Sequence, residues 1–498
     1  MDFLNEIQRM TFSTLSELLN EMNNNTLSRY GIPTNEASVS VLNSVITTAG
    51  SVGMLSALFL VVPMADSKGR RYVCAFLRFL FSALSSSFHL GAALFQSTEL
   101  FIIGQIFVGM HVPFRMFISL LYITESSPDR WRGFSSTAFM FSDVIGQMFM
   151  YNVASPNVLG RQGTWFIFPL IVLIGSVLLY LLARRLPDSP KWLAKQGRME
   201  EAKQSIEYYH GPNVKIEEEM SNLIREKNLT VEEKVSLRQI WNDDTLREGL
   251  KLLLSTVLFL TMNPIAMEIV YNITLNKNVG FTVTEALTIS SISTIVFFPF
   301  KFIGTYIIDA LGRRPVLFLA GAVLYIKNIV MVIAQWIAFA AGPSLLTKIL
   351  FVLGECFSHL FFATGCTSLG VLYVTEFFPP SARTSAAQAM ILINLGSHIP
   401  TTALFPIMNT IFPPGNYLPY VFLPPVLLVY LYRNLPETSG RAICDIIESF
   451  DEHVASRHAT IHEEKTPLLI RNRASTIVYK RNSILKTRTR ALTLDHIF

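Results

Sequence analysis

Two hexapeptides decide how this chain is read: DSKGRR at Asp66–Arg71 and DALGRR at Asp309–Arg314. Each lies between two long apolar runs. Around them, 51 % of the 498 residues are hydrophobic and only 15 % are charged, with a mean hydropathy of +0.40. Soluble domains carry roughly 25 % charged residues. A chain this poor in charge cannot cover its own surface in water, so the composition implies lipid as the solvent.

A bilayer core is crossed by roughly 20 apolar residues of helix. Runs of that kind occupy about 41–63, 73–95, 100–123, 134–154 and 164–183, and after a polar stretch about 249–272, 285–308, 315–340, 345–373, 385–410 and 417–433. They are too long and too evenly apolar for barrel strands. The expectation is an all-α membrane protein with about 11 transmembrane helices. Its parts are a polar amino-terminal segment (1–40), a first membrane half (41–183), a linker (184–248), a second membrane half (249–433) and a largely disordered tail (434–498).

Basic residues follow alternate spans: Lys68, Arg70 and Arg71, then Arg130 and Arg132, then Arg184 and Arg185, and later Arg313, Arg314, Arg383 and Arg433. The intervening loops, such as Gln96–Glu99 and Ala341–Ser344, carry no Lys or Arg. Positive loops stay in the cytosol, which also places the linker and the carboxy terminus there. The first thirty residues contain Asp2, Glu6, Arg9, Glu17 and Glu21 and hold no cleavable signal core. Cys74, Cys356, Cys366 and Cys444 have no metal-ligand or disulfide spacing. The net charge of +5 is topogenic, since no nucleic-acid-reading motif is present. With no nucleotide loop, metal cluster or nucleophile constellation, the chain reads as a non-enzyme without cofactor or metal.

The repeat extends beyond the hexapeptides. YITESSPDRWRG (Tyr122–Gly133) matches YVTEFFPPSART (Tyr373–Thr384), and LPDSPKW (Leu186–Trp192) matches LPETSGR (Leu435–Arg441). Three motifs recurring in one order mark a duplicated bundle with two pseudo-symmetric halves. Parallel repeats of this kind are a transporter architecture, with the substrate site between the halves near mid-membrane. The repeated charges form two expected clusters, Asp66, Arg70, Arg71, Glu125 and Arg132 in one and Asp309, Arg313, Arg314, Glu376 and Arg383 in the other. Arginine grips carboxylates bidentately, so each cluster is expected to act as a gate. It would lock the cytosolic helix ends when the protein faces outward and part when it opens inward.

Together these motifs resemble the sugar porter family of the major facilitator superfamily, which includes the facilitative glucose transporters. The resemblance runs from about Val41 to Phe450 and implies twelve helices, alternating access and a cytosolic charge network. Two departures stand out. Only five apolar spans precede the linker where the family has six; residues 1–25 are read either as a worn first helix or as a sign of truncation. Asn24-Asn25-Thr26 beside them is a glycosylation sequon. The family's sugar-binding positions are also altered. Its Gln-Gln-Leu-Ser string aligns with Leu260–Asn263, a fifth-helix Gln with Met140, a Gly-Pro-rich stretch with Gly365–Gly370 and a fourth-helix Arg with Gln105, while Asn394 matches a family Asn.

The spans hold charges of their own: Arg78, Arg115, Lys301 and Lys327 against Asp143, Glu268 and Glu355, besides His89, His111 and His359. Intramembrane charge is functional by default, and Asp143 is expected to pair with Lys301 or Arg115. Pro264 frees a backbone carbonyl within TMNPIAMEIVYN, and such broken helices line transport sites. Thr261, Asn263, Glu268 and Tyr271, with Asn394 and Asp143, are the expected substrate contacts. The expected function is facilitative uniport of a hexose or related sugar across the plasma membrane by a protein in contact with lipid and not with nucleic acid. The alternatives are an organic anion carrier, favoured by the intramembrane cations, and a non-transporting sensor or inactive isoform. In the tail, EEKTPLL (Glu463–Leu469) resembles an acidic dileucine sorting signal, and basic residues flank Ser475 and Ser483.

Overall fold

The structure, a computed structural model, describes residues 2–128, 131–211, 216–229, 235–366 and 369–439, together with Ile446 and Phe450. All eleven apolar runs are helical. They form α2 (Glu36–Lys68), α3 (Tyr72–Phe95), α4 (Thr98–Ser126), α5 (Arg132–Val153) and α6 (Ile167–Ala183) before the linker. After it come α7 (Asp244–Val270, continued by Asn272–Asn278) and α8 (Val283–Phe297, continued by Ile303–Leu311). The bundle ends with α9 (Arg313–Ala341), α10 (Leu345–Ala363, continued by Leu369–Phe377), α11 (Pro380–Ile411) and α12 (Pro419–Asn434). Short helices at Pro190–Lys195, Met199–His210, Ile216–Leu229 and Leu237–Asn242 make up the described linker.

The amino-terminal segment is also a helix of the bundle. Asp2–Thr14 and Ser16–Arg29 run on from one another as α1, so among the described residues six bundle helices, α1 to α6, precede the linker and six, α7 to α12, follow it. A charge facing lipid costs about 2.5–3.5 kcal/mol at mid-membrane, and α1 avoids that cost by turning its polar side inward. Asn5, Glu6, Gln8, Thr11, Ser13, Thr14 and Asn23 are all buried. Glu6 accepts from Arg9 Nε at 2.8 Å and from Gln147 Nε2 of α5 at 2.9 Å. Asp2 pairs with Arg78 of α3, and Gln8 exchanges hydrogen bonds with Ser85 and Ser86. Asn23 donates to Asn43 of α2 and accepts from Thr98 of α4. Asn24 of the sequon lies inside this helix. The Thr26 hydroxyl donates to Thr98 Oγ1 at 3.0 Å and accepts from the Thr98 amide, so the threonine of the sequon is engaged in helix packing.

Packing of α2 on α4 depends on glycine. A Cβ on Gly53 would sit 1.9 Å from Ile106 O, and one on Gly109 1.8 Å from Gly50 O. Both obstructions are backbone and cannot rotate away; small residues are what allow membrane helices to approach this closely. Gly109→Val is expected to destabilise the bundle by at least about 1–3 kcal/mol, read as a lower melting temperature in detergent. Gly163→Val, at an open position, is the control with little change.

The two halves meet unevenly. One hydrophobic cluster joins helices of both halves, including Phe12, Ile46, Met150, Tyr271, Ala286 and Phe405. Toward the end bearing the charged loops the core divides. There Ala57, Val61, Val73, Phe114 and Ile118 pack within the first half, while Leu253, Val316, Leu369, Phe377 and Ala386 pack within the second. Met54 against Ile391, near the middle of α2, is a further contact between halves.

Candidate functional site

The repeated hexapeptides build the same local structure twice. Gly69 and Gly312 have φ of 103° and 91°, in the region open to glycine. Each ends one helix and lets the next begin at the following arginine. The exposed amides of that new helix are then met by a carboxylate from the third repeated motif. Asp188 Oδ1 accepts from the amides of Arg70 and Arg71 at 3.0 and 3.1 Å, and from its neighbour Ser189 at 2.7 Å. Glu437 accepts from the amides of Arg313 and Arg314 at 3.0 and 2.9 Å. A carboxylate at a helix amino terminus satisfies orphan N–H groups and opposes the helix dipole.

The arginine side chains complete the cluster. Arg70 is buried; it donates to Glu125 through Nε at 3.1 Å and Nη2 at 3.2 Å, and to Asp66 through Nη1 at 2.9 Å. Ser189 Oγ donates to the same Glu125. Arg313 donates to Glu376 at 3.1 Å and to Ser439 Oγ at 3.1 Å. Arg71 and Arg314 reach the carbonyls of Leu186 and Tyr432. Arg383 binds the carbonyls of Phe378 and Thr375. The side chains of Arg132 and Asp309 lie outside the described residues.

Every pair described here joins residues of one half or its flanking segment. Arg70–Glu125 and Arg313–Glu376 are closed in a structure whose halves already share a core at the far end. Each cluster fastens helices of its own half, because both partners are carried by that half.

The linker docks beside the first cluster. Tyr209 donates to Pro187 O at 3.0 Å and shares a hydrogen bond with Tyr122 at 2.7 Å. Burial pushes the Tyr209 hydroxyl up to about 12, so it remains a donor at neutral pH.

At the far end the halves touch through polar pairs. Ser40 and Thr410 hydroxyls are 2.6 Å apart, Asn152 donates to Ser291 at 2.8 Å, and Ser13 donates to Ile269 O at 2.7 Å. Lys277 reaches Glu17 at 2.5 Å. Tyr271 donates to Thr402 O at 3.0 Å and to Thr47 at 3.2 Å, with its ring against Phe405 and Phe12. Tyr271 thus closes the far end of the interface.

Of the other expected substrate contacts, Thr261, Asn263, Glu268 and Asp143 have found partners inside the protein. The Thr261 hydroxyl donates to Leu258 O. Asn263 Oδ1 accepts from Lys327 of α9 at 2.9 Å, and Glu268 is paired with the same lysine at 2.5 Å. Asp143 pairs with Arg115; the Lys301 and Met140 side chains lie outside the described residues. Asn394 is exposed on α11, one turn beyond Ile391. The break at Met262–Pro264 is present, dividing α7 between Asp244–Thr261 and Ile265–Val270.

Two roles escaped the sequence reading. Asp188 and Glu437 lie in recurring motifs, which was a usable signal, but their acceptor role depends on distant amides. Lys327 was visible as an intramembrane charge, and its partner Glu268 stands 59 positions earlier.

A bundle of paired halves with the same loop built twice is the context for comparison with known proteins. A family model described as "Sugar (and other) transporter" matches residues 9–450. The chain belongs to this sugar transporter family. It is 27% identical over 403 residues to the arabinose-proton symporter of Bacillus subtilis (strain 168), covering 77% of this chain and 81% of that one. It is 24% identical over 410 residues to solute carrier family 2, facilitated glucose transporter member 2, of Gallus gallus, covering 80% and 74%. Among solved structures it shares the fold of the inward-open xylose transporter XylE from E. coli, with a TM-score of 0.67 at 18% identity over 89% of this chain and 97% of that one. This sugar transporter is thus a multi-pass membrane carrier of the major facilitator superfamily and not an enzyme.

Proposed function

We propose that the protein moves a hexose or related sugar down its gradient by alternating access, in the plasma membrane, with the charged loops and the carboxy terminus in the cytosol. The uneven core carries this reading: halves joined at one end and separate at the other are the form of a carrier open to one side. The clusters at Arg70 and Arg313 make each half a rigid body, and the far-end contacts around Tyr271 form the seam that opens and closes.

The organic anion reading loses its main support. Of the intramembrane cations that favoured it, Arg78, Arg115 and Lys327 are each paired with an acid of their own half. A cation already neutralised offers little to an anionic solute.

Purified protein in liposomes separates these readings. Saturable uptake of labelled glucose, xylose or arabinose is expected, unaffected by a protonophore at fixed pH. Uptake of a labelled organic anion instead would overturn the sugar reading, and protonophore sensitivity would overturn uniport.

A further inference from the structure

We propose that Arg9 of α1 is a specificity-determining residue, held by Glu6 so that the outer edge of its guanidinium donates to adjacent hydroxyl oxygens of a neutral sugar. The ligand named here rests on the sugar reading above. Arg9 differs from the other intramembrane cations in what it fastens. Arg78 ties α3 to Asp2 of α1, Arg115 ties α4 to Asp143 of α5, and Lys327 ties α9 to Glu268 of α7. Arg9 pairs with Glu6, three residues earlier on its own helix. Its Nε donates to Glu6 Oε2 at 2.8 Å and its Nη2 donates to Glu6 Oε1. Among the described residues the guanidinium bonds to no other helix. An intramembrane charge that joins no helices together is not explained by packing and marks a solute path.

The face of α1 that carries Arg9 shows where it points. Residues three and four apart share a helix face, so Phe12 and Ser13 lie on the same side as Arg9. The Phe12 and Tyr271 ring centroids are 5.7 Å apart, and Ser13 donates to Ile269 O at 2.7 Å. Arg9 therefore faces the second half, one turn nearer the charged loops than the seam. Toward that end the core divides between the halves. The Arg9 side chain is 29 % exposed while Glu6 is 3 % exposed. Exposure on this face opens into the space between the halves and not onto lipid. Behind the pair, α5 fixes the carboxylate. A Cβ on Gly146 would lie 2.8 Å from Glu6 Cβ, and Gln147 Nε2 donates to Glu6 at 2.9 Å.

This geometry selects the ligand chemistry. Glu6 takes one side of the guanidinium and cancels its charge. The end-on side, with N–H groups on Nη1 and Nη2, remains as a planar fork that donates to two acceptors at once. Neighbouring hydroxyls of a sugar present two such acceptors. A protonated amine presents none, and an anion meets a cation that is already neutralised. A site built to bond a hydroxyl discriminates strongly against the analogue that lacks it.

The test has a labelling arm and an uptake arm. With Cys74, Cys356, Cys366 and Cys444 replaced, purified full-length Arg9→Cys in detergent should react with a water-soluble thiol reagent. Ile7→Cys, at a position with no exposed surface, should not. An unreactive Arg9→Cys would overturn the placement of Arg9 in the space between the halves, whatever the protein carries. For uptake, Arg9→Lys keeps the charge beside Glu6 and gives up the fork. It should keep the melting temperature and raise KM about tenfold or more for the sugar carried, whether glucose, xylose or arabinose, with kcat little changed. The unaltered carrier should discriminate against monodeoxy analogues of that sugar at two adjacent positions, and Arg9→Lys should lose this discrimination. An unchanged KM with an unchanged deoxy profile in the folded variant would overturn the proposal. Absence of uptake of every sugar by the unaltered carrier would instead overturn the sugar reading and the ligand assigned to Arg9, and leave the labelling result standing.

Discussion

Lys327→Met is expected to lower the stability of the folded carrier by about 3–5 kcal/mol, the usual cost of leaving a buried charge without its partner. Lys327 has no exposed surface and binds both Glu268 and Asn263, tying the outer piece of α7 to α9. Its loss abandons Glu268 among apolar side chains and unfastens the helix just beyond the Pro264 break. Thermal unfolding in detergent reads the effect, together with the fraction of monodisperse protein. Replacing both partners by apolar residues of similar volume is often neutral, so Lys327→Met with Glu268→Leu should recover most of the loss. A double variant as unstable as the single one would show that the ion pair is not the reason.

The second large effect is expected at the carboxylates that cap the repeated loops. Glu437→Ala should slow transport at least about tenfold, because it removes two hydrogen bonds to a charged group, each contributing about 1.5–3 kcal/mol, and about 1.4 kcal/mol is a factor of ten. The amides of Arg313 and Arg314 lose their acceptor, and the Arg313 side chain loses the loop that holds Ser439 against it. Asp188→Ala should act in the same way on Arg70 and Arg71. Uptake per folded protein is the measurement. A purely topogenic role for the arginines gives a different result, since acids contribute little to orientation: uptake and topology would then be unchanged in both variants.

Much of the architecture was legible because hydropathy and duplication are local signals. The eleven apolar runs and the matched motifs needed no tertiary information. The amino-terminal helix was legible only as one of two readings, a worn first helix or a truncation. A hydropathy window counts Asp2, Glu6 and Arg9 as costs, and cannot see that Arg78 and Gln147 receive them. The site was harder still. Asn263, Glu268, Tyr271 and Asp143 are polar residues in apolar spans, which singled them out correctly as unusual. Asp143 was expected to pair with Lys301 or Arg115 and pairs with Arg115; the partners of Asn263, Glu268 and Tyr271, which are Lys327 and Thr402, come from other helices, and only the packed bundle shows that these side chains hold the helices together. The clusters at Arg70 and Arg313 were legible as recurring motifs, but sequence alone does not say whether an ion pair lies within a half or between halves, and the acceptors Asp188 and Glu437 became visible only in the folded chain.

The central claim is that the seam at the far end must open for solute to cross. A reversible crosslink across it is the direct test. The Ser40 and Thr410 hydroxyls are 2.6 Å apart and exposed on opposite halves, a separation compatible with a disulfide after substitution. With Cys74, Cys356, Cys366 and Cys444 replaced, Ser40→Cys and Thr410→Cys are introduced together and the protein is reconstituted in liposomes. Oxidation is predicted to abolish sugar uptake and reduction to restore it; full crosslinking with uptake unchanged would contradict the account.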